Sequence, residues 1–145
     1  MHLGVPELIV LLSMFALGSL IALVPMVFYL LTLQKALSRC APERRTLLPG
    51  QVWLLLIPFF NLVWNFFVVS RVASTLANEF RARKLPVESE PGKAIGLAYS
   101  ILFASCVVPI LGFVAVVAGV VCWVIYWVKI AEFSARLATT APVGA

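Results

Sequence analysis

The side chains able to carry chemistry in this chain are few and poorly placed for it. Glutamate is the only acidic residue, at positions 7, 43, 79, 88, 90 and 132. His2 is the single histidine, and the cysteines are Cys40, Cys106 and Cys122. A metal centre needs several convergent His, Cys or carboxylate ligands; His2 has no second ligand nearby, and the cysteines show no C-x-x-C spacing. There is no glycine-rich phosphate loop and no nucleophile elbow. The sequence therefore predicts no enzyme, no cofactor and no catalytic or metal-binding residue. Glu7 stands at the mouth of a long apolar run, where a carboxylate could exchange a cation or proton. Its ordinary reading is a first-turn residue favoured by the helix dipole.

What remains is a set of polar residues inside apolar sequence. From Leu48 to Val69 the chain reads LPGQVWLLLIPFFNLVWNFFVV, without a charge, interrupted by Pro58, Asn61 and Asn65. These three are the candidate structural or pathway residues. Asparagines one helical turn apart could satisfy the amides of a turn at membrane depth, or bond to a neighbouring helix in a kinked span. Downstream, Arg71, Arg81, Arg83 and Lys84 are candidate contacts for lipid headgroups.

The elements that must position these residues follow from hydropathy. Hydrophobic residues make up 63% of the chain and charged ones 12%, against about 25% charged in an ordinary soluble domain; the mean hydropathy is +1.07. A polytopic helical membrane protein follows: all-α, one membrane domain, three to four membrane segments and a basic amphipathic surface helix. The first span is expected at 8–33, kinked at Pro25, with Gly18-x-x-x-Ala22 as a small-residue face. Its flanking charge, Lys35, Arg39, Arg44 and Arg45, follows it rather than preceding it. That pattern puts the N-terminus outside and differs from a secretory signal peptide. Lys35 to Leu47 reads as a polar connection stopped by Pro42.

Residues 71–84 read as the amphipathic helix, with Val72, Leu76 and Phe80 at spacing four and a Glu79–Arg83 pair. It would lie along a headgroup layer or pack on the protein's own inner face. The 35 uncharged residues from Ala94 to Val128 would make a helix of about 52 Å, too long for a hydrocarbon core of about 30 Å. Pro109 and Gly112 mark a break, so two arms are expected, 94–108 and 113–130. Gly96, Ser100 and Ala104 on one arm and Ala115-x-x-x-Gly119 on the other would let them approach closely. Trp123, Tyr126 and Trp127 form an expected aromatic belt before Lys129, and the tail 137–145 reads as disordered. Cys106 and Cys122 fall near opposite ends of their arms and do not suit a disulfide. Cys40 reads as a reduced cytosolic thiol.

Charge decides between two topologies. If 49–70 spans the membrane, the 11 Lys and Arg divide between both sides; if it is re-entrant, turning near Pro58, all of them lie inside. The positive-inside rule favours the second and leaves the C-terminus cytoplasmic. No stretch is basic enough to suggest nucleic acid.

The stretch Pro49-Gly-Gln-Val-Trp53 followed by Pro58-Phe-Phe-Asn61-Leu resembles a segment of small bacterial multi-pass membrane proteins of unknown function. In those, P-G-x-x-W…P-x-x-N-L also sits between basic loops. The resemblance covers about Gln34 to Phe80. It implies a bacterial inner-membrane location and brings no activity or site residues. The expected role is non-enzymatic and organisational, with anionic lipid, a second copy or another membrane protein as partner. The alternative is a small oligomeric transporter or channel lined by Pro58, Asn61 and Asn65, with a lipid enzyme using Glu43 or Glu79 a distant third.

Overall fold

The computed structural model describes residues 4–57, 59–105 and 112–140. Pro58, the expected turn at Pro109, Cys106, His2 and the tail beyond Thr140 lie outside the described residues. Among the described residues there are four α-helices: α1 (Val5–Ser38), α2 (Phe60–Ala82), α3 (Lys93–Ser105) and α4 (Gly112–Thr139). Two 3-10 segments, Pro42–Arg44 and Pro49–Leu56, separate α1 from α2. Among the described residues all regular structure is helical, and α1, α2 and α4 are each long and apolar enough to cross a membrane. It is a polytopic helical membrane protein in fold class.

The chain divides into two units, Met1–Leu31 and Thr32–Ala145. The first is a single helix, which cannot bury its own side chains. Its uncharged length closes its own polar groups instead, as hydrocarbon requires: the Ser13 hydroxyl donates to Val10 O and the Ser19 hydroxyl to Phe15 O, both at 2.8 Å. The Glu7 carboxylate accepts from the Gly4 N–H at 3.0 Å. Glu7 therefore caps the helix start.

In the second unit the helices extend beyond the expected boundaries. α1 runs to Ser38, so the connection before Pro42 is shorter than hydropathy implied. Residues 71–84 are not a separate surface helix. They continue α2, which has no Gly or Pro from Phe60 to Ala82, and prolonging an existing helix avoids a second nucleation. Val72, Leu76 and Phe80 are fully buried, so this face packs on protein rather than lying on a headgroup layer. α2 ends where Lys84 takes a left-handed conformation (φ 56°) and the Leu85 N–H reaches back to Phe80 O at 2.9 Å, a helix stop that glycine more often supplies.

The stretch 49–70 divides into two arms. Pro49 opens the 3-10 segment, and the Gln51 side chain accepts the Leu48 N–H at 3.1 Å. At the far end Phe59 has φ 63°, and α2 begins at the next residue. The arms run back along each other. The Trp64 indole donates to Gln51 O at 3.1 Å, and the Thr46 hydroxyl donates to Arg71 O at 2.9 Å.

α3 and α4 form the second paired structure. Pro91 and Gly92 (φ +72°) lead into α3. A Cβ on Gly96 would stand 2.5 Å from Val69 Cγ1 and 2.9 Å from the Tyr126 ring. The missing side chain is what lets α2, α3 and α4 meet there. Gly119 faces Leu102 and Phe103 with ordinary clearance. Tyr126 is fully buried and belongs to the core, not to an interfacial belt. Trp127 donates to the Thr32 hydroxyl at 2.9 Å. α4 continues to Thr139 with Leu137 buried, so positions 137–139 of the expected tail are ordered helix.

Candidate functional site

Among the described residues, buried polar chemistry is concentrated in two clusters, both on α2. The first surrounds Asn65, which is 8% exposed. Its amide donates to the Ser100 hydroxyl at 3.0 Å and its carbonyl accepts from the Tyr99 hydroxyl. Ser100 donates in turn to Gly96 O at 2.8 Å. Asn65 thus fastens α2 to α3 and does not serve the turn at Pro58. Asn61, one turn earlier, is half-buried and contributes its backbone N–H to Ile57 O at 2.9 Å. The two asparagines are not brought to one site, and Pro58 lies outside the described residues.

The second cluster is centred on Glu79, whose side chain is fully buried. One carboxylate oxygen accepts from Arg83 Nε at 2.8 Å; the other accepts from the Ala41 N–H at 3.0 Å and Arg44 at 3.3 Å. Arg83 is 4% exposed in its side chain. Its guanidinium also donates to Leu137 O and Thr140 O, each at 2.9 Å, and to Arg39 O at 3.0 Å. Arg39 completes the circuit by donating to the Ser134 hydroxyl at 2.8 Å. The last carbonyls of a helix have no partner within it, and here one arginine satisfies carbonyls at the ends of both α1 and α4. A buried carboxylate is tolerable only with such pairing and hydrogen bonding.

Apolar packing seals this end. Phe80 and Phe133 meet edge to face at 5.5 Å, and the Arg136 guanidinium lies 5.1 Å from the Phe80 ring centre. Beneath it, the Thr46 N–H and hydroxyl both reach the Thr75 hydroxyl at 3.0 Å.

Of the four proposed headgroup contacts, Arg71, Arg81 and Lys84 are exposed. Arg83 is not available to headgroups, because its donors are committed inside the protein. Its i, i+4 spacing from Glu79 was visible in sequence; the carbonyls of Arg39, Leu137 and Thr140 were not, since they lie 44 to 57 residues away. Glu43 is exposed and Glu79 is enclosed, so the two share no site.

Cys40 is 2% exposed beside Glu79, and its thiol lies 3.4 Å from Ala36 O. Burial, reinforced by the Glu79 charge, pushes the thiol up to about 12. A thiol held in that form is a poor nucleophile. Elsewhere, the hydrogen bond from Lys129 to Glu88 at 2.8 Å holds that exposed carboxyl below its usual range. Among the described residues no group of three His, Cys, Asp or Glu could hold a metal ion.

Set against family models, curated proteins and solved structures, the chain matches none.

Proposed function

We propose that this chain is a non-enzymatic organising protein of the bacterial inner membrane, one that holds a partner or a second copy at a basic cytoplasmic face. The observation that carries this reading is the use made of Glu79 and Arg83. The most deeply enclosed ionisable pair is spent on joining helix ends, with no donor or acceptor aimed at a substrate. Asn65 is spent in the same way on α3. Left for recognition are exposed basic residues, Arg71, Arg81 and Lys84 among them, suited to anionic headgroups or an acidic partner surface.

The proposed topology has the N-terminus outside, α1 crossing, 49–70 entering and leaving on the cytoplasmic side, and the C-terminus cytoplasmic. The Thr46–Arg71 bond and the Lys129–Glu88 ion pair support it: the first joins the ends of the charge-free stretch 46–70, and the second brings Lys129, which follows the charge-free stretch 94–128, to the charged segment that precedes it. Buried Cys40 is a poor reporter of sidedness, so the test uses exposed positions. Glu43→Cys, Ser89→Cys and Ala138→Cys, in a background lacking the native cysteines, should all be labelled by an impermeant thiol reagent only in inverted vesicles. Purified protein in liposomes should conduct no ion or solute, and crosslinking in cells should return a recurrent membrane partner or a dimer that weakens on Arg71→Glu with Arg81→Glu. Flux abolished by Asn61→Leu would instead establish the transporter.

A further inference from the structure

We propose that the apex of the 49–70 hairpin is a lipid-binding surface that stops at the bilayer midplane, with acyl chains of the cytoplasmic leaflet as its partner. This rests on the membrane placement proposed above and adds a depth and an occupant to it.

The depth follows from the lengths of the two arms. Thr46 and Arg71 are bonded, so both arms start from the same level. Eight residues of 3-10 helix, Pro49–Leu56, rise about 16 Å. The eleven residues of α2 from Phe60 to Ser70 rise about 16 Å as well. Half of a hydrocarbon core is about 15 Å. No residue from Thr46 to Ser70 is charged, and the next charges are Arg45 and Arg71 at the common level. A polar belt at one end and an apolar apex half a bilayer away is the pattern of a segment that enters and does not cross.

The apex is built for hydrocarbon. Phe59 is 86% exposed, with Ile57 and Phe60 exposed beside it and Val63 one turn further down. Non-helical backbone at that depth must satisfy itself. The Ile57 N–H closes on Leu54 O, Asn61 on Ile57 O and Leu62 on Phe59 O, at 2.9 to 3.2 Å. Both indole donors of the hairpin are also used internally, Trp53 on the Gln34 side chain and Trp64 on Gln51 O.

Lipid suits this apex better than a second copy. Inside a bilayer, protein association gains nothing from apolarity alone, because lipid tails are equally apolar. It needs small residues that allow close approach or polar groups that bond across. Ile57, Phe59 and Phe60 are bulky and offer neither.

The test places a nitroxide at Phe59→Cys, Phe67→Cys or Glu43→Cys in the full-length protein, reconstituted in vesicles of mixed zwitterionic and anionic lipid. All three positions are exposed, so labelling removes little packing, and circular dichroism with size-exclusion checks the fold. The expected result is highest oxygen and lowest water-soluble nickel-chelate accessibility at 59, an intermediate value at 67 and aqueous behaviour at 43. Aqueous or headgroup behaviour at 59 would overturn the inference. So would short label-to-label distances at 59 with lost oxygen access, which would make a second copy the occupant. If 43 and 89 label on the same side while 59 is shallow, this inference alone fails. If they label on opposite sides, the topology fails first.

Discussion

The hydroxyl of Thr46 donates to the carbonyl of Arg71 at 2.9 Å across 25 residues of sequence. One continuous helix would hold those positions about 37 Å apart. The contact makes the charge-free stretch between them a hairpin, and it puts Arg45 and Arg71 at one level. Replacing Thr75, whose hydroxyl accepts from the Thr46 amide and donates to the Thr46 hydroxyl, should loosen this closure. Thr75→Val should cost about 0.5–1.5 kcal/mol, the net worth of a hydrogen bond whose other partner, the exposed Thr46, can turn to water, and should raise amide exchange around Thr46 more than around α3. Uniform exchange changes would show that the pair does not set the closure.

The Glu79–Arg83 pair makes a prediction whose sign separates pairing from packing. Glu79→Leu strands a nearly inaccessible guanidinium and should cost about 3–5 kcal/mol. Arg83→Met added to it should recover a large part of the loss, although the carbonyls of Arg39, Leu137 and Thr140 then lose a donor. Denaturation in mixed detergent micelles measures both. Strict additivity of the two losses would mean that the residues act independently.

Asn65 and Asn61 should behave differently despite their spacing. Asn65→Leu removes two bonds to α3 and should destabilise by about 1 kcal/mol, as interhelical hydrogen bonds in membranes do. Asn61→Leu should stay within about 0.5 kcal/mol. Equal effects on stability would contradict the assignment of Asn65 as the tie.

Gly96 and Gly18 form a matched pair. A methyl on Gly96 meets Val69 and Tyr126 at less than 3 Å, whereas one on Gly18 meets nothing within 4 Å. Gly96→Ala should cost about 1–3 kcal/mol through overpacking. Gly18→Ala should leave the thermal midpoint unchanged or slightly raised, since alanine favours the helix.

Cys40 links stability to alkaline pH. Its folded pKa of about 12 lies above the ordinary 9.0, so between those values the unfolded chain has lost a proton that the folded chain keeps. Its contribution is therefore fully present below pH 9 and falls as pH rises toward 12. Cys40→Ala should flatten that alkaline slope. Cys40 should also react with a maleimide in detergent far more slowly at neutral pH than half-buried Cys122, and equal rates would show that it is not enclosed.

Much of this architecture was legible from local features. Long uncharged runs require helices wherever backbone polar groups have no water to bond, which is why the all-helical membrane class and three long apolar segments can be read directly. The spacing of Val72, Leu76, Glu79, Phe80 and Arg83 along one helix was equally plain. Spacing alone did not reveal which surface that face would meet. Whether Arg83 faces headgroups or the interior depends on helix ends brought in from positions 39, 137 and 140. Asn65 likewise looked like a possible pathway residue until α3 supplied Ser100 and Tyr99. Helix formation depends on neighbours three and four residues away and is written locally. The partners that use up a buried polar group come from distant parts of the chain, and only their packing identifies them.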